Sequence, residues 1–303
     1  MTSGAPSARD WRNLVTRVDA EGYDMIHMPQ HRGSKGFSPL VGLSFVAGLS
    51  SRLRLGTLVI DNESVHPALV ARDAATLDLL SGGRLELGIG AGWLEADHVS
   101  IGQEFAGVGT RIERLGEAID VLRACWSGEH ADFDGRHYRL SATPNDPLPV
   151  QAGGPPILVG GGGQRVLTLA AKKADIVSLV PNMSAGKVGR ESAANATGAA
   201  TEQKLAWVRR AAGDRMDRIE LHTNLTNVFV TSDRTPMMEK VARGYGLDNP
   251  VDSLDIPHVV IGTVAQCVEQ MLNRRDATGI SHYTVFEANL DAFAPILAEL
   301  VGK

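Results

Sequence analysis

The chain has 303 residues, 43% of them hydrophobic, with a formal net charge of -5 and a sequence pI near 6.0. That length supports a large core in a single α/β domain, and the mild acidity gives no electrostatic case for nucleic acid as a partner. Cys125 and Cys267 form neither a metal-binding pattern nor a Cys-x-x-Cys redox motif. The first residues lack the apolar core of a secretion signal and no window is apolar for long enough to span a bilayer, so a soluble cytoplasmic protein is the expectation.

Residues 10–21 have helical periodicity, with Trp11, Leu14, Val15 and Val18 on one face and Gly22 as the stop. Residues 23–29 read as a strand, 39–49 as a helix, 54–60 as a strand and 68–80 as the helix leading to a strand that ends at Gly90. The strongest helix is predicted over 111–126, with Ile112, Leu115, Ile119 and Leu122 inward. A polar excursion over 127–149 precedes a strand from Ile157, a helix over 164–173 and a strand over 174–180. Residues 182–200, rich in Ala, Ser, Gly and Asn, read as a flexible insertion within the domain. A helix at 202–212, a strand at 219–230, a helix at 235–244, a short strand at 259–262, a helix at 264–275, a strand at 281–286 and a helix at 290–300 complete the chain.

Strand and helix alternating at this interval is βαβ construction and predicts a parallel sheet. The count favours a TIM-like (β/α)8 barrel in one domain, 1–303, with the strand expected ahead of the first helix missing or atypical. Two apolar runs spill into glycine, at Gly88-Ile89-Gly90-Ala91-Gly92-Trp93 and at Gly160-Gly161-Gly162-Gly163. Glycine at a strand's C-terminal end admits close backbone approach, and two such ends point to a cofactor across the mouth of the barrel.

Three further residue sets carry candidate chemistry. His31, just after the second expected barrel strand, has the side chain to orient a ligand or move a proton near neutral pH; the plainer alternative is a loop histidine bonded for structure. Trp93 offers an apolar wall or a filler beneath a helix, while Glu95 reads most simply as a hydrated carboxylate at a helix start. The N–H groups of Gly160, Gly161, Gly162 and Gly163, with Arg165 beside them, form a possible phosphate site, although the spacing is neither that of a Rossmann turn nor that of a Walker loop. The remaining histidines are scattered, and no metal is expected.

The run from Ala71-Arg72-Asp73 through Leu80-Ser81-Gly82-Gly83-Arg84 to Gly92-Trp93 resembles the bacterial-luciferase-like flavin and deazaflavin oxidoreductase family, particularly its F420-dependent branch. Further similarity lies in Arg111-Ile112-Glu113-Arg114-Leu115, Phe133-Asp134-Gly135-Arg136-His137-Tyr138 and Ile157-Leu158-Val159-Gly160. The resemblance implies a barrel that binds F420, or alternatively FMN, at the C-terminal ends of its strands. It also implies a homodimer, a catalytic role for His31, and a backbone bulge at Leu58 and Val59, with a non-proline cis bond as one form, against the ring. Asn62 and His66 are polar edge contacts on this reading. Two positions depart from the family pattern: Gln30 stands where an acid often precedes the histidine, and Val65 where an arginine often precedes His-Pro.

The expected reaction is hydride transfer between F420 and a small organic substrate, with His31 assisting a proton. One alternative is an FMN-dependent monooxygenase that uses reduced flavin and oxygen and draws on a separate cofactor reductase. The other is a non-enzymatic cofactor-binding barrel.

Overall fold

The computed structural model describes residues 1–31, 36–128, 130–143, 146–183 and 190–301. These group into two compact units, one of Thr2–Val159 with Lys173–Asp175, the other of Met1, Gly160–Lys172 and the chain from Ile176 onward. The first unit holds α1 (Ala8–Ala20), β1 (Met25–Met28), α2 (Pro39–Leu49), β2 (Arg54–Thr57), β3 (Ile60–Asp61), α3 (Pro67–Ser81) and β4 (Leu85–Gly90). It continues through α4 (Glu95–Val99), α5 (Val108–Cys125), β5 (Ala131–Asp134) and β6 (Arg139–Thr143) into β7 (Ile157–Gly161), whose last two residues begin the second unit. The second unit holds α6 (Gln164–Lys173), β8 (Ile176–Leu179), α7 (Arg190–Ala194), α8 (Gly198–Ala212), β9 (Glu220–Leu225) and β10 (Asn227–Val230). After these come α9 (Thr235–Tyr245), β11 (Val259–Gly262), α10 (Val264–Thr278), β12 (Ile280–Val285) and α11 (Leu290–Leu300).

The main sheet has eight strands in the order β1-β2-β4-β7-β8-β9-β12, with β3 on β4. The β1–β2, β2–β4, β4–β7, β8–β9 and β9–β12 pairs are all parallel. This is the TIM-like barrel class predicted from the alternation of strands and helices. As predicted, no strand precedes α1; in the first unit Thr2 N–H donates to His27 O (3.1 Å) and Phe37 N–H to Ser3 O (2.8 Å).

Local sequence explains the elements that frame the site. Ser7 caps α1, which buries Trp11, Val15 and Val18 as its apolar spacing requires. The helix α3 starts at Pro67 behind the cap His66 and stops at Gly82, which takes the left-handed φ of 69° that a side chain disfavours. Every residue of β4 is buried, as in a parallel strand covered on both faces. In α3, fully buried Asp78 accepts from Val150 N (2.8 Å), Gln151 N (3.0 Å) and Gln151 Nε2 (2.7 Å). Arg84 ties Ser81 O, Leu53 O and Ala47 O together. Much of the longest family-like motif is therefore scaffold.

Two segments differ from the sequence expectation, and a third carries the break that the family resemblance implied. The strand predicted over 54–60 breaks at a cis Leu58–Val59 peptide. The excursion over 127–149 contains the antiparallel β5–β6 hairpin. The strand predicted over 219–230 divides at Thr226 because its partners change: β9 pairs with β8 and β12, whereas β10 pairs with β11. The flexible insertion expected at 182–200 falls partly outside the described residues; its described part contains α7 and the start of α8, which Thr197 caps.

Candidate active site

In the first unit, Gly90 ends β4, and His31, Leu58, Val59, Asn62, Gly92 and Trp93 follow the C-terminal ends of β1, β2, β3 and β4, the rim where barrels of this class carry chemistry. At the cis Leu58–Val59 peptide, Leu58 N–H donates to Met28 O (2.8 Å). Val59 packs against Gly90, where a Cβ would sit 2.7 Å from Val59 Cγ2. The chain's own side chain therefore makes the close approach that this glycine permits. Gly92 differs, with a φ of +71°. Its Cβ would lie 2.7 Å from Asp61 Oδ1 and 3.0 Å from His98 Nε2.

Turning at Gly92 aims α4 back at the ends of β1 and β3. Asp97 Oδ2 lies 2.8 Å from His31 Nδ1, and the His98 Nε2–Asp61 Oδ2 distance is 3.0 Å. Two adjacent residues of one helical turn thus hold partners on two other segments. The His31 ring meets Trp93 edge to face at 5.8 Å. Gln30 Oε1 accepts from Asp61 N (2.9 Å) and Ser64 Oγ (3.3 Å), so the residue that replaces the family's acid anchors the β3 turn. Arg111 Nε donates to Ala91 O (3.1 Å), and its guanidinium covers the Phe105 ring at 3.7 Å. Burial pulls the Arg111 pKa down, while Glu63 and Asp61 oppose that shift.

Asn62 closes the other side. Its N–H donates to Gly90 O (2.9 Å) and its Nδ2 to Tyr138 Oη (2.9 Å), while the buried Oδ1 has no hydrogen-bond partner. The Tyr138 ring stands edge to face with His66 at 5.4 Å. His66 itself is exposed and accepts from Ala68 N (3.2 Å). Tyr138 arrives on the β5–β6 hairpin, where Glu117 of α5 accepts from the N–H groups of His137 (2.8 Å), Arg136 (3.0 Å) and Tyr138 (3.1 Å). Burial pushes the Glu117 pKa up, but these three donors, from His137, Arg136 and Tyr138, outweigh it and leave the value lowered.

The second predicted set belongs to the second unit. Gly161 and Gly162 leave no room for a side chain: a Cβ would lie 2.3 Å from Val166 Cγ1 at the first and 2.3 Å from Asn182 N at the second. Gly160 and Gly163 meet only ordinary contacts at 3.6 and 3.8 Å. None of the four has a positive φ. Arg165 is exposed in the first turn of α6. The segment crossing Gly162 is fixed by Lys204, a buried lysine that donates to Val180 O (2.9 Å) and Asn195 O (2.6 Å), and by Asn195 Oδ1 accepting from Asn182 N (2.7 Å). Burial lowers the Lys204 pKa to about 8.

Sequence reasoning weighed Glu95, which is exposed, and missed Asp97 two positions on, which is buried. Both acids stand at the start of a short helix, and only the turn at Gly92 selects between them. Tyr138 stood in a family-like motif without a role, because nothing local connects it to Asn62.

Residues 1–251 match the Luciferase-like monooxygenase family. A curated relative, an F420-dependent glucose-6-phosphate dehydrogenase of Kineococcus radiotolerans, is 34% identical over 193 residues, which are 57% of this chain and 57% of that protein. The chain thus spans little more than half the length of that relative. Among solved structures, the coenzyme F420-dependent tetrahydromethanopterin reductase of Methanopyrus kandleri aligns with a TM-score of 0.75 at 16% identity, covering 97% of this chain and 94% of that one. The monooxygenase RslO1 of Streptomyces bottropensis aligns at 0.72 and 19% identity, covering 96% and 92%. The fold is shared with F420-dependent and flavin-dependent oxidoreductases of known structure, and the chain belongs to the luciferase-like monooxygenase family. No helix among the described residues is long and apolar enough to cross a membrane.

Proposed function

We propose that the protein is an F420-dependent oxidoreductase that exchanges a hydride with a small organic substrate at the rim formed by His31, Val59, Asn62 and Trp93. The observation that carries this reading is the His31–Asp97 pair, 2.8 Å apart and adjoining Trp93. The polar inventory fits a planar cofactor with hydrogen-bonding edges, since Asn62 presents a buried amide oxygen without a protein partner. When bound, F420 supplies two-electron hydride chemistry.

The chain's own residues do the rest. Asp97 accepts from His31 Nδ1–H and so orients the ring, and the imidazole is the group that gives or takes the substrate's proton. Trp93 supplies an apolar wall that limits water. Leu58, Val59, Gly90 and Gly92 shape the backbone against the ring. In the second unit, glycines 160–163 and Arg165 are proposed by themselves as a phosphate site, at the N–H groups that open α6.

Titration of the purified protein with F420 and with FMN tests this reading, followed by turnover with carbonyl, imine and activated alkene probes. Retention of F420 with its oxidation or reduction is expected. Selective retention of FMN with oxygen consumption would move the protein to the monooxygenase reading, which draws on a separate reductase. Binding without turnover of any probe would favour a passive barrel, and binding of neither cofactor would overturn the proposal.

We also propose a homodimer. Val41, Phe45 and Leu49 form an exposed stripe at four-residue spacing along α2, which carries no charged residue. A second copy of the chain would cover it, and light scattering of Phe45→Glu against the native protein reads the expected shift from dimer to monomer.

A further inference from the structure

Asp97 reaches His31 from α4, an element that cannot hold itself in place. α4 spans only Glu95–Val99, and its cap residue Leu94 makes no side-chain hydrogen bond. A helix this short is not stable on its own. The connection that carries it turns at Gly92 and again at Gly102, both with a φ of +71°, so the chain here has a freedom that other groups must remove.

Arg111, near the start of α5, removes it. Its guanidinium donates from Nε to Ala91 O (3.1 Å) and from Nη1 to Ala106 O, carbonyls 20 and 5 positions behind it in the chain. Those two carbonyls bracket α4. The same guanidinium lies 3.7 Å over the Phe105 ring, and Phe105 meets the ring of buried His98 at 4.9 Å. His98 adjoins Asp97, so packing runs from Arg111 to the residue that holds the imidazole. Arg111 is itself only 3% exposed. A buried cation disfavours the fold unless its donors are used, and this one directs them at main-chain carbonyls, where they fix the path of the backbone.

We propose that Arg111 is a positioning residue, whose fork closes the β4–α5 connection at its base and thereby presents Asp97 to His31. A lysine keeps the charge but has no planar fork with which to bind two carbonyls and stack on Phe105 together. For its effect on turnover this rests on the functional reading above. Its effect on His31 does not, because the His31–Asp97 contact is made by the chain alone.

The test compares Arg111→Lys with Arg84→Lys. Arg84 also clamps backbone carbonyls, those of Ser81, Leu53 and Ala47, but ahead of β4 rather than after it. Nitrogen chemical shifts of labelled His31 are recorded without cofactor, together with urea midpoints and steady-state kinetics on whichever of F420 and FMN the native protein retains. Both variants are expected to lower the midpoint. Only Arg111→Lys should shift the His31 nitrogens, and it should lower kcat by roughly a hundredfold with KM little changed, the effect of a misplaced catalytic group. Combined with Asp97→Asn it should lower kcat no further, because it acts through that carboxylate. Arg111→Gln, which retains one amide donor, takes its place if the lysine variant does not fold.

Unmoved His31 shifts in Arg111→Lys, with a fall in midpoint like that of Arg84→Lys, would overturn the proposal and leave Arg111 a scaffold residue. So would a loss of kcat additive with that of Asp97→Asn. Moved His31 shifts where the native protein turns over no probe would uphold the positioning role and count against the functional reading instead.

Discussion

Asp97 Oδ2 and His31 Nδ1 meet at 2.8 Å across 66 positions of sequence, after a turn in which Gly92 takes a positive φ of 71°. A carboxylate on one imidazole nitrogen holds that nitrogen's proton and orients the ring.

Replacing Asp97 with Asn keeps the size of the side chain but removes the charge that selects the tautomer. Turnover should fall by up to about a hundred- to ten-thousandfold, the range of a general acid–base contribution, with cofactor affinity unchanged. Nitrogen chemical shifts of labelled His31 should show a changed Nδ1–H to Nε2–H ratio. An unaltered ratio together with unaltered turnover would remove Asp97 from the mechanism.

Glycines at the two strand ends should separate sharply when each becomes alanine. At Gly162 the new Cβ meets backbone at 2.3 Å, and at Gly92 it adds a positive φ to a collision with Asp61 and His98. Both changes should destabilise the protein by about 1–3 kcal/mol or more. Gly160→Ala, with its nearest contact at 3.6 Å, should be within about 0.5 kcal/mol of native. Urea denaturation midpoints check the ranking.

Glu117 should make the hairpin sensitive to acid. Its folded pKa is lowered, so its contribution is present above the ordinary value of 4.5 and disappears as pH falls through the lower folded value. Amide exchange at His137 and Tyr138 should accelerate in that window, whereas in Glu117→Gln it should already be fast at neutral pH and lack this acid step.

Lys204 gives the same sign in a different window, at alkaline pH. Burial lowers its pKa from 10.5 to about 8, so between those values the unfolded chain holds a proton that the folded chain has lost. Stability from this group therefore rises as pH increases from about 8 to 10.5. The difference in unfolding free energy between native protein and Lys204→Met should grow in favour of native over that interval, and a flat difference would refute the assignment.

The helices were legible because their signals are local. The residues 39–49, with proline at the start, predicted α2 to the residue, and of the face predicted for α1 from Trp11, Leu14, Val15 and Val18, all but the half-buried Leu14 are buried. The break at Leu58–Val59 was expected only from family resemblance, since two branched apolar residues read equally well as continuous strand. The hairpin was invisible for a comparable reason: β5 and β6 are short, half-exposed and irregular in register, and so have no clean alternation.

Sequence by itself determined the strand–helix rhythm, the glycine-ended strands and the placing of His31 after the first observed strand, because propensity, periodicity and chain punctuation act over a few residues. Tertiary structure alone decided that Asp97 rather than Glu95 meets His31, that Gln30 anchors the β3 turn, and that Asn62 bonds Tyr138. Each of those choices joins groups dozens of positions apart, and a hydrogen bond only a few ångströms long has no counterpart in linear order until the backbone has brought its two ends together.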